Sequence, residues 1–136
     1  MSTEIGFEVS LDRPYSDSIE LVVSALKAEG FGVLTRIDIS ETVKEKLGES
    51  FRPYIILGAC NPKLSFRALS EDPVVGLLLP CNITVEEQSS NSSLVRIVNP
   101  EVMMNVGGLH ESEVITSVAK EARTRLERVA EVLAKG

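Results

Sequence analysis

Ile5, Phe7, Val9 and Leu11 alternate with Glu4, Gly6, Glu8 and Ser10, the two-residue period of a strand with one buried face. Pro14 breaks that pattern. Ile19, Val22, Val23 and Leu26 then recur at helical spacing, with Asp17 and Glu20 placed as a capping box and Gly30 as the stop. From Phe31 the period returns to two, with Phe31, Val33, Ile37 and Ile39 on one face and Gly32, Leu34, Arg36 and Asp38 on the other. Ser40 is the expected cap of a short helix through Leu47, ended by Gly48. The run Tyr54-Ile55-Ile56-Leu57-Gly58-Ala59 is apolar on both faces, which predicts a central strand.

Asn61 followed by Pro62 is a helix cap followed by a favoured first helical residue, so the spacing predicts a short helix over Lys63 to Leu69. Asp72-Pro73 marks a turn. Beyond it Leu77, Leu79, Cys81, Ile83 and Val85 share one parity, which predicts a long strand whose Pro80 calls for an edge or a bulge. The polar run Gln88 to Ser93 reads as a hairpin loop and Leu94 to Val98 as the returning strand, ended by Asn99-Pro100. Ile115, Val118, Ala119, Ala122, Leu126, Val129 and Leu133 fall on one stripe of a long last helix capped by Ser112. The order predicts an α+β fold: a single, mostly antiparallel sheet of about five strands, two long helices packed on one face, and an open second face carrying Glu8, Arg36, Asp38 and Arg96. The chain reads as one domain over residues 1–136.

Charge and composition narrow the function. Fourteen basic against twenty acidic residues leave a net charge of −6 with no basic cluster, so nucleic acid has no electrostatic footprint here. Met1-Ser2-Thr3-Glu4 lacks the basic and apolar regions of a signal peptide, and no apolar run reaches membrane-spanning length; the expected compartment is the cytoplasm. There the two cysteines should be reduced thiols. With 43% hydrophobic but only 4% aromatic residues, the aliphatic balance leaves apolar surface for a partner subunit, and a homodimer is expected.

Three segments carry a resemblance: Gly30-Phe31-Gly32-Val33-Leu34-Thr35, Gly58-Ala59-Cys60-Asn61-Pro62 and Gly76-Leu77-Leu78-Leu79-Pro80-Cys81-Asn82, with Arg67-Ala68-Leu69 and Asp72-Pro73 between the latter two. On these the chain resembles the domain-of-unknown-function 302 family of small prokaryotic proteins, over nearly its whole length. The resemblance implies a TATA-binding-protein-like α+β fold, usually seen as dimers, and it implies no activity. The chain departs from the family at Asn99-Pro100, where Asp-Pro is more common.

The candidate chemistry sits in the repeated Cys-Asn pair. Cys60 precedes a predicted helix start, where free backbone N–H groups favour a thiolate, and Cys81 stands in the next apolar segment. If Cys60, Cys81, Asn61 and Asn82 line one pocket, they can bind a small molecule, ligate a soft metal or run reversible thiol chemistry, with Cys60 as nucleophile and Cys81 as resolving partner. The plainer reading makes both cysteines small core residues and Asn61 a cap. Arg36, Asp38 and Arg67 are the charged residues expected to face such a pocket, or else surface ion pairs. A closed zinc site lacks ligands, since His110 brings the set to three at most, and His110 itself reads as an exposed loop residue. Met103-Met104 reads as core filler rather than a copper site, and Glu86-Glu87 as the solvated end of a hairpin strand. The leading expectation is a cytosolic homodimeric binding domain for a small molecule or metal. A thiol-dependent redox or sulfur-handling enzyme and a purely structural subunit are the alternatives.

Overall fold

A computed structural model describes residues 5–136; Glu4, and with it the start of the chain, lies outside the described residues. Strands β1 (Gly6–Leu11), β2 (Gly32–Asp38), β3 (Tyr54–Cys60), β4 (Cys81–Ser89) and β5 (Ser92–Val98) form one sheet in the order β1-β5-β4-β3-β2. Every neighbouring pair is antiparallel. The helices are α1 (Tyr15–Ala28), α2 (Ile39–Leu47), α3 (Pro62–Glu71), α4 (Pro100–Met103) and α5 (Glu113–Lys135). Helices α1 and α5 pack on one sheet face, and the core lies between them and the inward residues Phe7, Val9, Leu57, Ile83, Val85, Val95 and Ile97. This is the expected α+β architecture. Among the described residues no helix is long and apolar enough to cross a membrane.

Local chemistry accounts for most element ends. The α5 stripe predicted from spacing is the buried stripe, Ile115 to Leu133, and Ser112 Oγ accepts the Ile115 N–H at 3.2 Å as its cap. Gly30, at φ +84°, lets the chain turn after α1 while the Phe31 N–H closes onto the Leu26 carbonyl at 2.9 Å. Asn61 caps α3 with Pro62 in its first turn.

Several expectations are corrected. Helix α1 starts at Tyr15 behind Pro14 without a side-chain cap, so Asp17 lies inside its first turn rather than at its cap. Asp38, not Ser40, caps α2, accepting the Glu41 N–H at 3.0 Å and the Ser40 hydroxyl at 2.7 Å; Ile39 is therefore helical. Residues Pro73–Leu78 form a 3-10 turn in place of the start of a long strand, because Asp72 caps the Val74 N–H and Pro73 favours a helical start. Leu77, given core parity by the strand reading, is 84% exposed. Pro80 stands before β4, joined to Leu79 by a cis peptide, so the strand that follows is free of proline and takes the middle of the sheet. Strand β3, expected to be central, is interior but one place from the β2 edge.

Strand β2 holds the correction that matters most for a site. Its register against β3 jumps between Val33 and Thr35, leaving Leu34 as the extra residue of a bulge. The bulge inverts the inward and outward parity of the residues that follow. Ile37 pairs with Ile56 and is 47% exposed, whereas Arg36 pairs with Leu57 and Asp38 with Ile55, on the helix-covered side. Arg36 and Asp38 are thus removed from the open face on which strict alternation puts them.

Candidate functional site

The two Cys-Asn segments come together at one end of β3 and β4. The register sets Ala59 opposite Cys81 and Gly58 opposite Asn82. Side chains alternate across a sheet, so Cys81 belongs to the helix-covered face, while Cys60, Gly58 and Asn82 belong to the open one. Sheet spacing puts the Cα atoms of Cys60 and Cys81 only about 6 Å apart, but their Cβ bonds leave opposite faces and no disulfide can close without moving backbone. Both cysteines are free.

Their environments differ accordingly. Cys60 is partly buried, with Sγ 3.2 Å from Ser65 Oγ in the first turn of α3. Cys81 is 6% exposed. Burial, and secondarily the nearby Cys60, pushes its thiol up to about 11, so it is a neutral thiol at neutral pH and a poor nucleophile there. Gly58 makes room at this corner: a Cβ on it would stand 2.2 Å from Thr35 Oγ1 and 2.8 Å from Pro80 Cγ. Thr35, Pro80 and exposed Asn82 therefore close around a strand position that holds no side chain.

The remaining predicted residues serve other contacts. Asn61 is 8% exposed; its Oδ1 accepts the Leu64 N–H at 3.3 Å and its Nδ2 reaches the Glu29 carbonyl at 3.5 Å, tying α3 to the end of α1. Arg36 pairs with Glu20 of α1 at 3.5 Å. The backbone N–H of Glu41 and the Ser40 hydroxyl hold the Asp38 carboxyl below its usual pKa. Arg67 reaches across to α5, donating to Ser117 Oγ at 3.4 Å and pairing with Glu121 at 3.7 Å. The structure gathers Cys60 and Asn82 on one face and distributes Cys81, Asn61, Asp38, Arg36 and Arg67 elsewhere.

The open face carries a cluster that sequence reading divided wrongly. Glu86, which its place beside the hairpin loop predicts to be solvated, is 8% exposed. Arg96 donates from Nε to Glu8 at 2.9 Å and from Nη1 to Glu86, while Arg52 approaches the other Glu86 oxygen at 3.5 Å. The Glu86 hydrogen bond, foremost, raises the Arg96 pKa further. Arg52 also stacks over Phe51 at 4.7 Å, and the Phe51 ring meets Tyr54 edge-on. Thr84, opposite both Ile56 and Arg96, buries its Oγ1 without a hydrogen-bond partner. The parity of Asn82, Thr84 and Glu86 was the available signal; the hairpin register that brings Arg96 between two carboxylates was not visible.

Among the described residues no three His, Cys, Asp or Glu side chains gather closely enough to hold a metal ion. His110 is exposed, in a 3-10 turn over Leu109–Glu111. Two of the clefts along α5 adjoin the segments singled out by sequence. One of about 300 Å³ lies between Gly30, Asn61, Pro62, Lys63, Glu121 and Arg125. The other, of about 270 Å³, runs over Met104, Ile115 and Ala119 with Glu101, Asn105, His110 and Thr116 at its rim.

No curated protein matches the chain significantly. A crystal structure of an uncharacterized conserved protein DUF302 from Bacillus stearothermophilus superposes with a TM-score of 0.82 at 28% identity, covering 96% of this chain and 99% of that one. The sequence profile described as Domain of unknown function DUF302 matches residues 7–133, and with that span and fold the chain belongs to the DUF302 family.

Proposed function

We propose that this chain is a cytosolic binding domain that works as a homodimer, two copies meeting through the open sheet face and holding a small molecule at its Cys60–Asn82 corner. The observation that carries the reading is the uncovered face itself. Five strands at about 4.8 Å spacing and about 20 Å length give a flat footprint of about 500 Å². Roughened by side chains, it approaches the roughly 800 Å² per partner of a stable interface. Its apolar members include Ile37, Tyr54, Ile56, Leu94 and Val98. Its charges, Glu8 and Glu86 against Arg52 and Arg96, are paired among themselves. Although the chain carries −6 overall, this face is neutral, so no like charges are forced together across it and only the long-range repulsion of the two chains remains.

The thiol-enzyme reading has less support. A nucleophile and its resolving thiol must share a pocket, and here the register sends them to opposite faces. Native mass spectrometry of protein purified without added metal or reductant tests the proposal. It predicts a dimer, converted to monomer by Ile56→Lys, with a bound mass that Asn82→Ala removes. A chain that stays monomeric at every concentration overturns the pairing, and a bare dimer overturns the ligand.

A further inference from the structure

Beneath the wall formed by α3, α4 and α5 lies a small apolar void of about 30 Å³. Cys81, Met103 and Met104 border it, and its other walls include Phe31, Leu79 and Val118. Cys81 is 6% exposed and Met104 5%. The Cys81 thiol has no hydrogen-bond partner among the described residues. Sequence spacing makes both methionines core filler, yet the fold brings residues 22 and 23 positions beyond Cys81 back to its side, so that one cysteine and two methionines line a single space.

We propose that this void is a binding site for a single copper(I) ion, held by Cys81, Met103 and Met104. Three arguments select the ion. A thiolate with two thioethers is a soft donor set, suited to copper(I) and poorly suited to magnesium, calcium or manganese. The space, about 30 Å³, is too small for an organic molecule. Charge decides the oxidation state: a monovalent cation on one thiolate is neutral, whereas a divalent ion leaves an uncompensated positive charge in an apolar cavity.

Binding is a substitution at sulfur without electron transfer. The S–H bond of Cys81 breaks, a Cu–S bond forms, and the proton leaves to solvent; copper arrives and stays as copper(I). The way in is the cleft rimmed by Glu101, Asn105, His110 and Thr116, because Met104 and Ala119 line both that cleft and the void. Displacement of the Met104 side chain joins the two spaces. The site goes beyond the small-molecule reading and is independent of how copies pair.

The test is anaerobic titration of the full chain with copper(I) against a chromophoric chelator, with X-ray absorption on the loaded protein. The expected result is one copper(I) retained per chain, with sulfur as the only near neighbours. Cys81→Ala abolishes retention. Met103→Leu and Met104→Leu, which conserve volume and keep the core packed, weaken it by at least the roughly tenfold to hundredfold seen when supporting contacts of metal sites are lost. Failure to retain copper(I), retention by Cys81→Ala, or nitrogen and oxygen neighbours in the absorption spectrum each overturns the assignment. A dimer carrying an organic mass but refusing copper(I) overturns this site alone.

Discussion

Gly58, at the Cys-Asn corner, has no room for a side chain. A methyl group there collides with Thr35 Oγ1, 2.2 Å from the Cβ position, and with Pro80. Gly58→Ala should lower stability by about 1–3 kcal/mol as overpacking does, read as a fall in urea midpoint at unchanged slope. Adding Thr35→Ala should recover part of the loss; no recovery would mean that the hydroxyl is not the obstacle. Cys81 makes stability depend on pH. Its thiol is pushed up from 9.0 to about 11 in the folded chain, so the folded state holds the proton more tightly than the unfolded one. The resulting stability is complete below the unfolded value and disappears as pH rises through the folded one. A shift of this size amounts to about 3 kcal/mol. Urea unfolding between pH 9 and 11 should therefore show falling stability, with a shallower fall in Cys81→Ala. Tyr15, raised to about 12 by burial and then by Asp38 and Glu87, adds its own loss at still higher pH. An identical slope in wild type and Cys81→Ala would refute the assignment of that titration to Cys81.

At the scale of elements, the charge cluster joins β1, β4 and β5 and is unequally exposed. The Arg96 side chain is 42% accessible and that of Glu86 only 11%. Arg96→Met strands the better-buried partner with Arg52 as its remaining cation at 3.5 Å. A fully buried pair broken this way costs about 3–5 kcal/mol; with Arg96 half in solvent, about 1–3 kcal/mol is expected. Glu86→Gln on top of Arg96→Met should be much less than additive, a coupling that a double-mutant cycle reads directly. Helix α2 is the contrast. None of its residues is buried and Leu47 is 71% exposed, so Leu47→Ser should stay within about 0.5 kcal/mol of wild type.

For the molecule as a whole, pairing through the open face has a thermodynamic signature apart from any ligand. A protein stabilised by self-association melts at a temperature that rises with its concentration. The wild-type chain should show that rise, and Ile56→Lys should abolish it while leaving the dilute-limit transition near the wild-type value, since Ile56 lies on the uncovered face. Added salt should strengthen association by screening two chains of −6 each. A concentration-independent melting temperature would count against a homodimer.

Periodicity alone determined the helices and strands wherever the pattern was long or its cap explicit. Seven apolar positions of α5 repeat at helical spacing and bury as one stripe, and Asn61-Pro62 fixes the start of α3, because helix ends are set by side chains within a few residues of them. The α+β class followed from element order. What only the tertiary structure decided depends on partners distant in the chain. The bulge at Leu34 is defined against β3 and moved Arg36 and Asp38 to the covered side. The β4–β5 register placed Arg96 between carboxylates from two other strands. The alternation of Ala59 and Cys60 against Cys81 sent two similar Cys-Asn segments to opposite faces. A strand's own sequence records its period but not the register of its neighbour, and a one-residue slip exchanges its two faces. That is why the fold was legible from the residues and the site was not.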